Sequence, residues 1–448
     1  MHNKFQGNLI ALAVASILGG ASTLVSAAGF ALIEQSASGL GNAYAGGAAI
    51  AEDASTVFYN PAGLSRISGR QFVVSGEAIK LSVKYQNQSA TSSKSLIGTP
   101  LTGGDGGDAG GSGFVPNLYF ATDIAPQWKF GLGINAPFGL TTDYDSDWKG
   151  RYQALKSEVQ TVNINPSVAY QVNDMVSLGA GASAMYIKGD LSKAIDFGSI
   201  LVALGAAPPS ASQNLDGKVK FDGSGWGYGY NLGALFQVTP DTRVGVAYRS
   251  KINEELSGGQ ATYSGVPGPL AASPLFTTTG AKAKITLPES ASLSGFSQID
   301  SKWAVMGDVT WTKWSRFNEL RLQFNNAAPD SVTTENWKDT YRVSAGVTYQ
   351  YSDSWKLRGG VAYDKSPVDD QYRTARIPDN DRKWLALGAS YKVSSAGIVD
   401  FGYAHLFISD ASINHTEKSS TGAPVGGTLV GSYSGSVDIF GIQYTHSF

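Results

Sequence analysis

Past Gly69 the chain alternates apolar and polar side chains with a period of two, the signature of strands whose faces meet different surroundings. The stretch from Tyr341 shows it most plainly. Tyr341, Val343, Ala345, Val347, Tyr349 and Tyr351 share one face, and Arg342, Ser344, Gly346, Thr348 and Gln350 the other. Val162, Ile164, Val168 and Tyr170 alternate in the same way with Asn163, Asn165, Ser167 and Gln171, and Leu385, Leu387, Ala389, Tyr391 and Val393 with Ala386, Gly388, Ser390 and Lys392. The second face is small and polar rather than long and charged, which suits a crowded or water-filled interior. Followed to the end, the pattern predicts fourteen strands: 72–84, 114–124, 128–138, 158–171, 174–188, 224–238, 242–256, 283–298, 302–313, 336–351, 355–364, 382–394, 398–409 and 432–448.

The connections alternate long and short. Tight turns fall at Ala125-Pro126, Asn173-Asp174, Pro240-Asp241, Asp300-Ser301 and Asp353-Ser354, while long loops fill 85–113, 139–157, 189–223, 257–282, 314–335, 365–381 and 410–431. A soluble sandwich has no reason to sort its loops by length. An outer-membrane barrel does, with an even strand number, short periplasmic turns and long outer loops. A bilayer also demands that every backbone N–H and C=O be paired, so the sheet must close. Trp128, Tyr170, Tyr248, Trp303, Trp311, Tyr351 and Trp355 lie near strand ends, where interfacial girdles form. The expected fold is therefore all-β: a 14-stranded antiparallel transmembrane β-barrel.

Composition narrows the choice further. Of 448 residues 54 are Gly and none is Cys, and only 16% are charged, against about 25% in ordinary soluble domains. Past the first 30 residues there is no apolar run of about 18, so transmembrane helices are excluded. The absence of Cys excludes a disulfide scaffold and a Cys-ligated zinc site. The formal net charge of −2 leaves no basic footprint for nucleic acid. Lys4, the apolar stretch from Leu9 to Leu18 and Val25-Ser26-Ala27 read as a secretory signal peptide over 1–27, cleaved before Ala28. Residues 28–70 break the alternation and are rich in Gly, Ala and Ser. They are too few to bury their own core. Fourteen strands leave an interior too wide for barrel side chains alone to fill, so this segment is expected in the lumen as a plug, with the barrel over 71–448.

The motifs of that plug carry a resemblance. Gly29-Phe30-Ala31-Leu32, the stretch Ser38-Gly39-Leu40-Gly41-Asn42-Ala43-Tyr44-Ala45-Gly46, Asp53-Ala54-Ser55 and Asn60-Pro61-Ala62-Gly63-Leu64 resemble the N-terminal hatch of FadL-type long-chain fatty acid transporters. Leu287-Pro288-Glu289, Trp337-Lys338-Asp339-Thr340-Tyr341-Arg342, Asp364-Lys365-Ser366-Pro367-Val368 and Ile377-Pro378-Asp379-Asn380-Asp381-Arg382 match as well, so the likeness spans the mature chain. It implies a Gram-negative outer-membrane protein with both termini periplasmic. A hydrophobic substrate would land on outer loops, move to a site over the hatch and leave sideways through the barrel wall. Phe440, Ile442, Tyr444, His446 and Phe448 share one face of the last strand. A chain ending in Phe resembles the signal read by the outer-membrane assembly machinery, with outer-membrane lipid and lipopolysaccharide as surroundings.

Each step implies residues of matching chemistry. Capture calls for apolar loop residues: Phe197, Ile200, Leu201 and Leu204 in one loop, Leu270, Leu275 and Phe276 in another. A carboxylate calls for a cation, because an unpaired buried charge is costly. By the resemblance, the family's two basic pocket positions fall on Lys193 and Arg321, with Lys188 the alternative to Lys193. Gly29 and Phe30 are expected to touch the substrate, and Asn60 and Pro61 to turn the hatch backbone. Asn135, Pro137 and Gly139 are the expected wall opening, since Pro cannot donate to a neighbouring strand.

Other motifs point elsewhere only weakly. Gly39 and Gly41 with Gly46-Gly47 lack the strand–turn–helix setting of a nucleotide loop. Gly103-Gly104-Asp105-Gly106-Gly107-Asp108 matches one turn of a calcium β-roll, and a single copy cannot stack. There is no zinc-protease motif and no nucleophile elbow, so no catalytic residue, metal or cofactor is expected. The expected activity is passive uptake of long-chain fatty acids or other hydrophobic small molecules, with monoaromatic or other hydrocarbons as the alternative. An open porin is disfavoured by the plug.

Overall fold

The computed structural model describes residues 29–93, 98–418, 420 and 424–448; the expected signal peptide lies outside them. Fourteen strands make one sheet: β1 (Gln71–Thr91), β2 (Gly111–Ala125), β3 (Trp128–Asn135 and Gly139–Asp143), β4 (Lys156–Gln171), β5 (Val176–Asp196), β6 (Asp216–Thr239), β7 (Thr242–Arg249 and Ile252–Ser264), β8 (Thr279–Leu287 and Ser290–Gln298), β9 (Trp303–Thr312 and Glu319–Phe324), β10 (Ser331–Thr334 and Thr340–Gln350), β11 (Trp355–Asp364), β12 (Arg382–Lys392), β13 (Gly397–Ile408 and Ala411–Lys418) and β14 (Pro424–Ser447). Sequential strands pair antiparallel, and β1 pairs β14 from Gln71 opposite Ser447 to Thr91 opposite Thr428. The sheet is a closed 14-stranded barrel, so its membrane span has no free edge.

The alternation decides which face looks outward. Tyr341, Val343, Leu385 and Leu387 are exposed, facing lipid, while Arg342, Ser344, Trp384 and Ala386 are buried, facing the lumen. At the turn end, ring pairs form between neighbouring strands: Trp128 with Tyr170 at 4.8 Å, Trp303 with Tyr349 at 4.5 Å and Trp355 with Tyr391 at 4.6 Å. These are the amphipathic anchors an interface selects.

Three features differ from the pattern-based expectation. Strands on the loop side run far past their expected ends: β5 has 21 residues and β6 has 24, where about 9–11 cross a bilayer. Beyond the lipid both faces of such an arm meet protein or water, so the period-two signal fades there. The expected third strand, 128–138, breaks after Asn135 and resumes at Gly139, and the expected eighth, 283–298, breaks at Pro288-Glu289. Finally, the lumen face is not merely small and polar. Glu77, Asp308, Arg342, Arg358 and Asp400 are buried on it: Arg358 pairs with Asp400, Arg342 donates to the hatch carbonyl of Ala43, and Glu77 and Asp308 accept from neighbouring hydroxyl and amide groups.

Residues 29–70 fill the barrel. They form three one-turn helices, α1 (Ala37–Leu40), α2 (Gly47–Ile50) and α3 (Thr56–Tyr59), and a 3-10 turn, Pro61–Arg66. Ser36 caps α1, its Oγ accepting from Gly39 N at 3.2 Å. Leu40, Val57 and Leu64 are fully buried. Barrel glycines make the fit possible: a Cβ on Gly233 would strike Asn60 and one on Gly245 would strike the Ala48 carbonyl. Much of the Gly surplus is thus the imprint of a hatch backbone running against the wall.

Candidate functional site

Beyond the bilayer, Asp196 ends β5 and caps α4 (Phe197–Ala203), its Oδ1 accepting from Ser199 N at 2.8 Å. Phe197, Leu201 and Leu270 are buried in a small core with Ile195, Ile200, Val266 and Phe276 around them. The two apolar loops therefore pack on each other; Leu204 and Leu275 remain exposed at 67% and 38%. Beside this core lies an outer pocket of about 250 Å³, walled by Leu191, Val219, Phe221, Tyr263, Leu275, Phe276, Leu322 and Phe324. Three cations line it: Lys193, Arg376 and Lys418.

Lys193 reaches Glu417 Oε1 at 2.9 Å. Burial works against the Glu417 carboxylate, yet Lys193 and His415 hold its pKa down at about 2. Arg376 Nη1 donates to Ser157 Oγ at 3.0 Å. Arg321 is placed differently. It sits on β9 between Leu320 and Leu322, which pack inward, and its own side chain is 38% exposed. Glu319 at 2.6 Å and Asp330 at 2.9 Å already neutralise it. The structure thus puts Lys193 in the pocket and Arg321 outside it, while Arg376 supplies a second cation. Lys188 is exposed on the wall. In the sequence Arg376 is marked only by its place directly before Ile377-Pro378, the start of a stretch that carries the family resemblance.

Deeper in, the first hatch residues pack into a ring cluster. Phe30 is 1% exposed. Its ring is enclosed by Trp314 at 4.8 Å, Phe317 and Trp337 at 5.6 Å and Phe138 at 6.0 Å. These rings come from the breaks in β3, β9 and β10, where the chain leaves the sheet and turns a side chain inward. Gly29 has φ +64°, and a Cβ there would collide with Trp314 and Trp337; its N–H donates to Asp379 Oδ2 at 2.9 Å.

The same residues cover a flaw in the wall. β2 pairs β3 only from Ala125 to Leu118, opposite Trp128 to Ile134. Residues 139–143 form a ladder with β4 only, and among the described residues none joins them to 111–117; at the far end Asp143 N donates to Ala109 O at 3.0 Å. Into this gap the hatch inserts a two-bond bridge: Leu32 N donates to Pro137 O and Gly139 N to Phe30 O, both at 2.8 Å, with Ala31 opposite Phe138. Asn135 sits at the lower corner, donating to Tyr119 Oη at 3.4 Å.

Below Phe30 is an inner cavity of about 160 Å³ over the hatch. Leu32, Ile33, Phe58, Pro61, Pro137, Phe138 and Trp314 make its apolar wall, and Arg249, Arg342, Asp308 and Asp364 its polar one. Asn60 holds the hatch beside it, donating to Ala48 O at 2.7 Å and to Ala234 O at 3.0 Å.

A closed barrel with a filled lumen and apolar cavities on both sides of a buried ring cluster fits an outer-membrane transport protein for hydrophobic compounds. The chain belongs to the family described as outer membrane protein transport protein (OMPP1/FadL/TodX), which matches residues 19–448. The long-chain fatty acid transport protein of Salmonella typhi is 32% identical over 421 residues, covering 92% of this chain and 93% of that one. The crystal structure of a Pseudomonas aeruginosa FadL homologue is 27% identical with a TM-score of 0.84, covering 94% of this chain and all of that one. The Ralstonia pickettii toluene transporter TbuX, 21% identical with a TM-score of 0.62 over 90% and 96% of the two chains, shares the fold.

Proposed function

We propose that this protein takes up long-chain fatty acids, capturing them in the outer pocket and releasing them sideways between β2 and β3. The observation that carries the reading is the position of residues 30–32. They separate the outer pocket from the inner cavity and, with the same backbone, fill the gap in the wall. A small retreat of the hatch N-terminus joins both cavities and opens the gap together. The outer pocket suits an amphiphile, since apolar walls take the chain and Lys193 with Arg376 meets the carboxylate. Phe197, Leu201 and Leu270 then act as the buried support of Leu275 and Phe276 rather than as landing surface.

The remaining assignments complete the reading. A leader over 1–27 is removed, the hatch is 28–70 and the barrel 71–448. Both termini face the periplasm, the side of the short turns. Phe448, exposed at 68% with its ring 4.6 Å from that of His446, presents the terminal aromatic to the assembly machinery, and the lipid-facing surface meets outer-membrane lipid and lipopolysaccharide.

One observation favours hydrocarbons as a second reading. An inner cavity of about 160 Å³ matches the roughly 150 Å³ that accommodates benzene better than it matches an extended acyl chain. Uptake of labelled oleate and of labelled toluene by cells lacking their own hydrophobic channel decides between them. Faster oleate uptake supports the first reading, and toluene uptake without oleate uptake replaces it with the second.

A further inference from the structure

We infer that Arg342 is a second docking point for the substrate's carboxylate, inside the cavity over the hatch; this rests on the fatty acid reading above. Arg342 projects from β10 into the lumen and is 6% exposed. Its Nη2 donates to the Ala43 carbonyl of the hatch at 2.7 Å, and its guanidinium lies over the Trp384 ring at 5.0 Å. Its Nε and Nη1 are sealed from solvent without a hydrogen-bond partner. Buried donors are nearly always paired, and here three of the five N–H groups of a guanidinium are not.

The other lumenal arginines are engaged. Arg358 is bonded to Asp400 at 2.8 Å and to Glu52 at 2.9 Å, and Arg249 donates to the Phe58 carbonyl at 2.9 Å. The acids around Arg342 feel its charge but accept none of its hydrogen bonds. Asp308 accepts from Thr310 at 2.8 Å and from Ser294. Asp364 lines the same cavity, and Glu34 lies in the hatch, yet no ion pair joins Arg342 to any of the three among the described residues. The cavity is therefore lined by an arginine whose unpaired donors lie covered just behind its surface, together with an apolar wall of Leu32, Ile33, Phe58, Phe138 and Trp314. A carboxylate supplies the missing acceptors, and its chain lies along that wall. Uptake then has two stations: Lys193 and Arg376 first, and Arg342 once Phe30 withdraws.

The test is binding of oleate and of oleyl alcohol to the purified full-length protein. The variants are Lys193→Ala, Arg342→Gln and Arg342→Lys, with both changes at 342 also placed in the Lys193→Ala background. The wild type is expected to prefer the acid. Lys193→Ala should keep part of that preference, and adding Arg342→Gln should cut it by about tenfold or more, while adding Arg342→Lys keeps most of it. A purely structural role would weaken acid and alcohol alike. A preference in Lys193→Ala that Arg342→Gln leaves intact overturns the inference, as does a Lys193→Ala protein that binds no oleate. A wild type indifferent to the carboxylate overturns the fatty acid reading itself. Should Arg342→Gln not fold, carboxyl-labelled oleate bound to Lys193→Ala decides by its NMR titration. A carboxyl ionised at lower pH than that of oleate in detergent supports docking, and one titrating like it argues against.

Discussion

Single charges were legible only where their surroundings could be read with them. Lys193 and Arg321 look alike in the sequence, but two-residue alternation turns Arg321 away from the side of Leu320 and Leu322, and Glu319 and Asp330 already hold it. Arg376 sits in a loop with no period, so nothing along the chain announced that it would fold over the outer pocket. Lys193→Ala should weaken oleate binding about 10- to 100-fold, the range of a charged hydrogen bond. Arg321→Ala should change it less than about twofold, because exposed ion pairs contribute little. Equilibrium binding to the two proteins checks both. Glu34 gives a pH signature. Burial lifts its carboxyl to about 7, although a backbone hydrogen bond, Arg382 and Arg342 pull the other way. The folded state then holds a proton that the unfolded chain releases near 4.5, so stability falls as pH rises from 4.5 through 7. Thermal midpoints should drop between pH 5 and 8 in the wild type and stay flatter in Glu34→Gln.

At the scale of elements, strands and turns were legible because lipid outside and hatch inside impose one period over the bilayer. What escaped was every place where that period is broken. Pro137 pointed to an opening, but a proline alone could not reveal that the strand resumes at Gly139, or that hatch residues pair across the break. That pairing yields a sharp prediction. Ala31 and Phe138 lie opposite each other, flanked by the bonds from Leu32 N to Pro137 O and from Gly139 N to Phe30 O. This is the close, non-hydrogen-bonded kind of pair, within reach of a disulfide. The chain has no cysteine of its own, so Ala31→Cys with Phe138→Cys forms a single bridge. Oxidised, the double variant should lose most oleate uptake while keeping its barrel; reduction should restore it. Uptake that ignores the bridge would mean that residues 30–32 need not move. Phe138→Cys alone controls for the lost ring.

At the scale of the molecule, the composition follows from two fitted parts. Apolar residues spread over the outer face of fourteen strands never accumulate into a long run, and Gly is spent where the hatch backbone meets the wall. The lumenal charges were the least legible feature, because their partners are hatch atoms hundreds of residues away: Arg342 with the Ala43 carbonyl, Arg243 with the carbonyls of Ala49 and Ile50 at 3.1 and 3.0 Å, and Arg358 with Glu52 at 2.9 Å. These contacts tie the hatch to the lumen wall. Residues 29–70 carry little of the sheet's hydrogen bonding, since the ladder from β1 to β14 closes without them. A protein lacking 29–70 should therefore still insert as a barrel, its lumenal charges taking water in place of hatch carbonyls. In planar bilayers it should conduct ions as a wide, steady pore, whereas the intact protein should stay near the baseline. Glu52→Ala should lie between them, with brief openings, because Arg358 keeps Asp400 but loses its hold on the hatch. Steady conduction by the intact protein would mean that water already crosses the hatch, and the lumen would then be a pore for polar solutes as well.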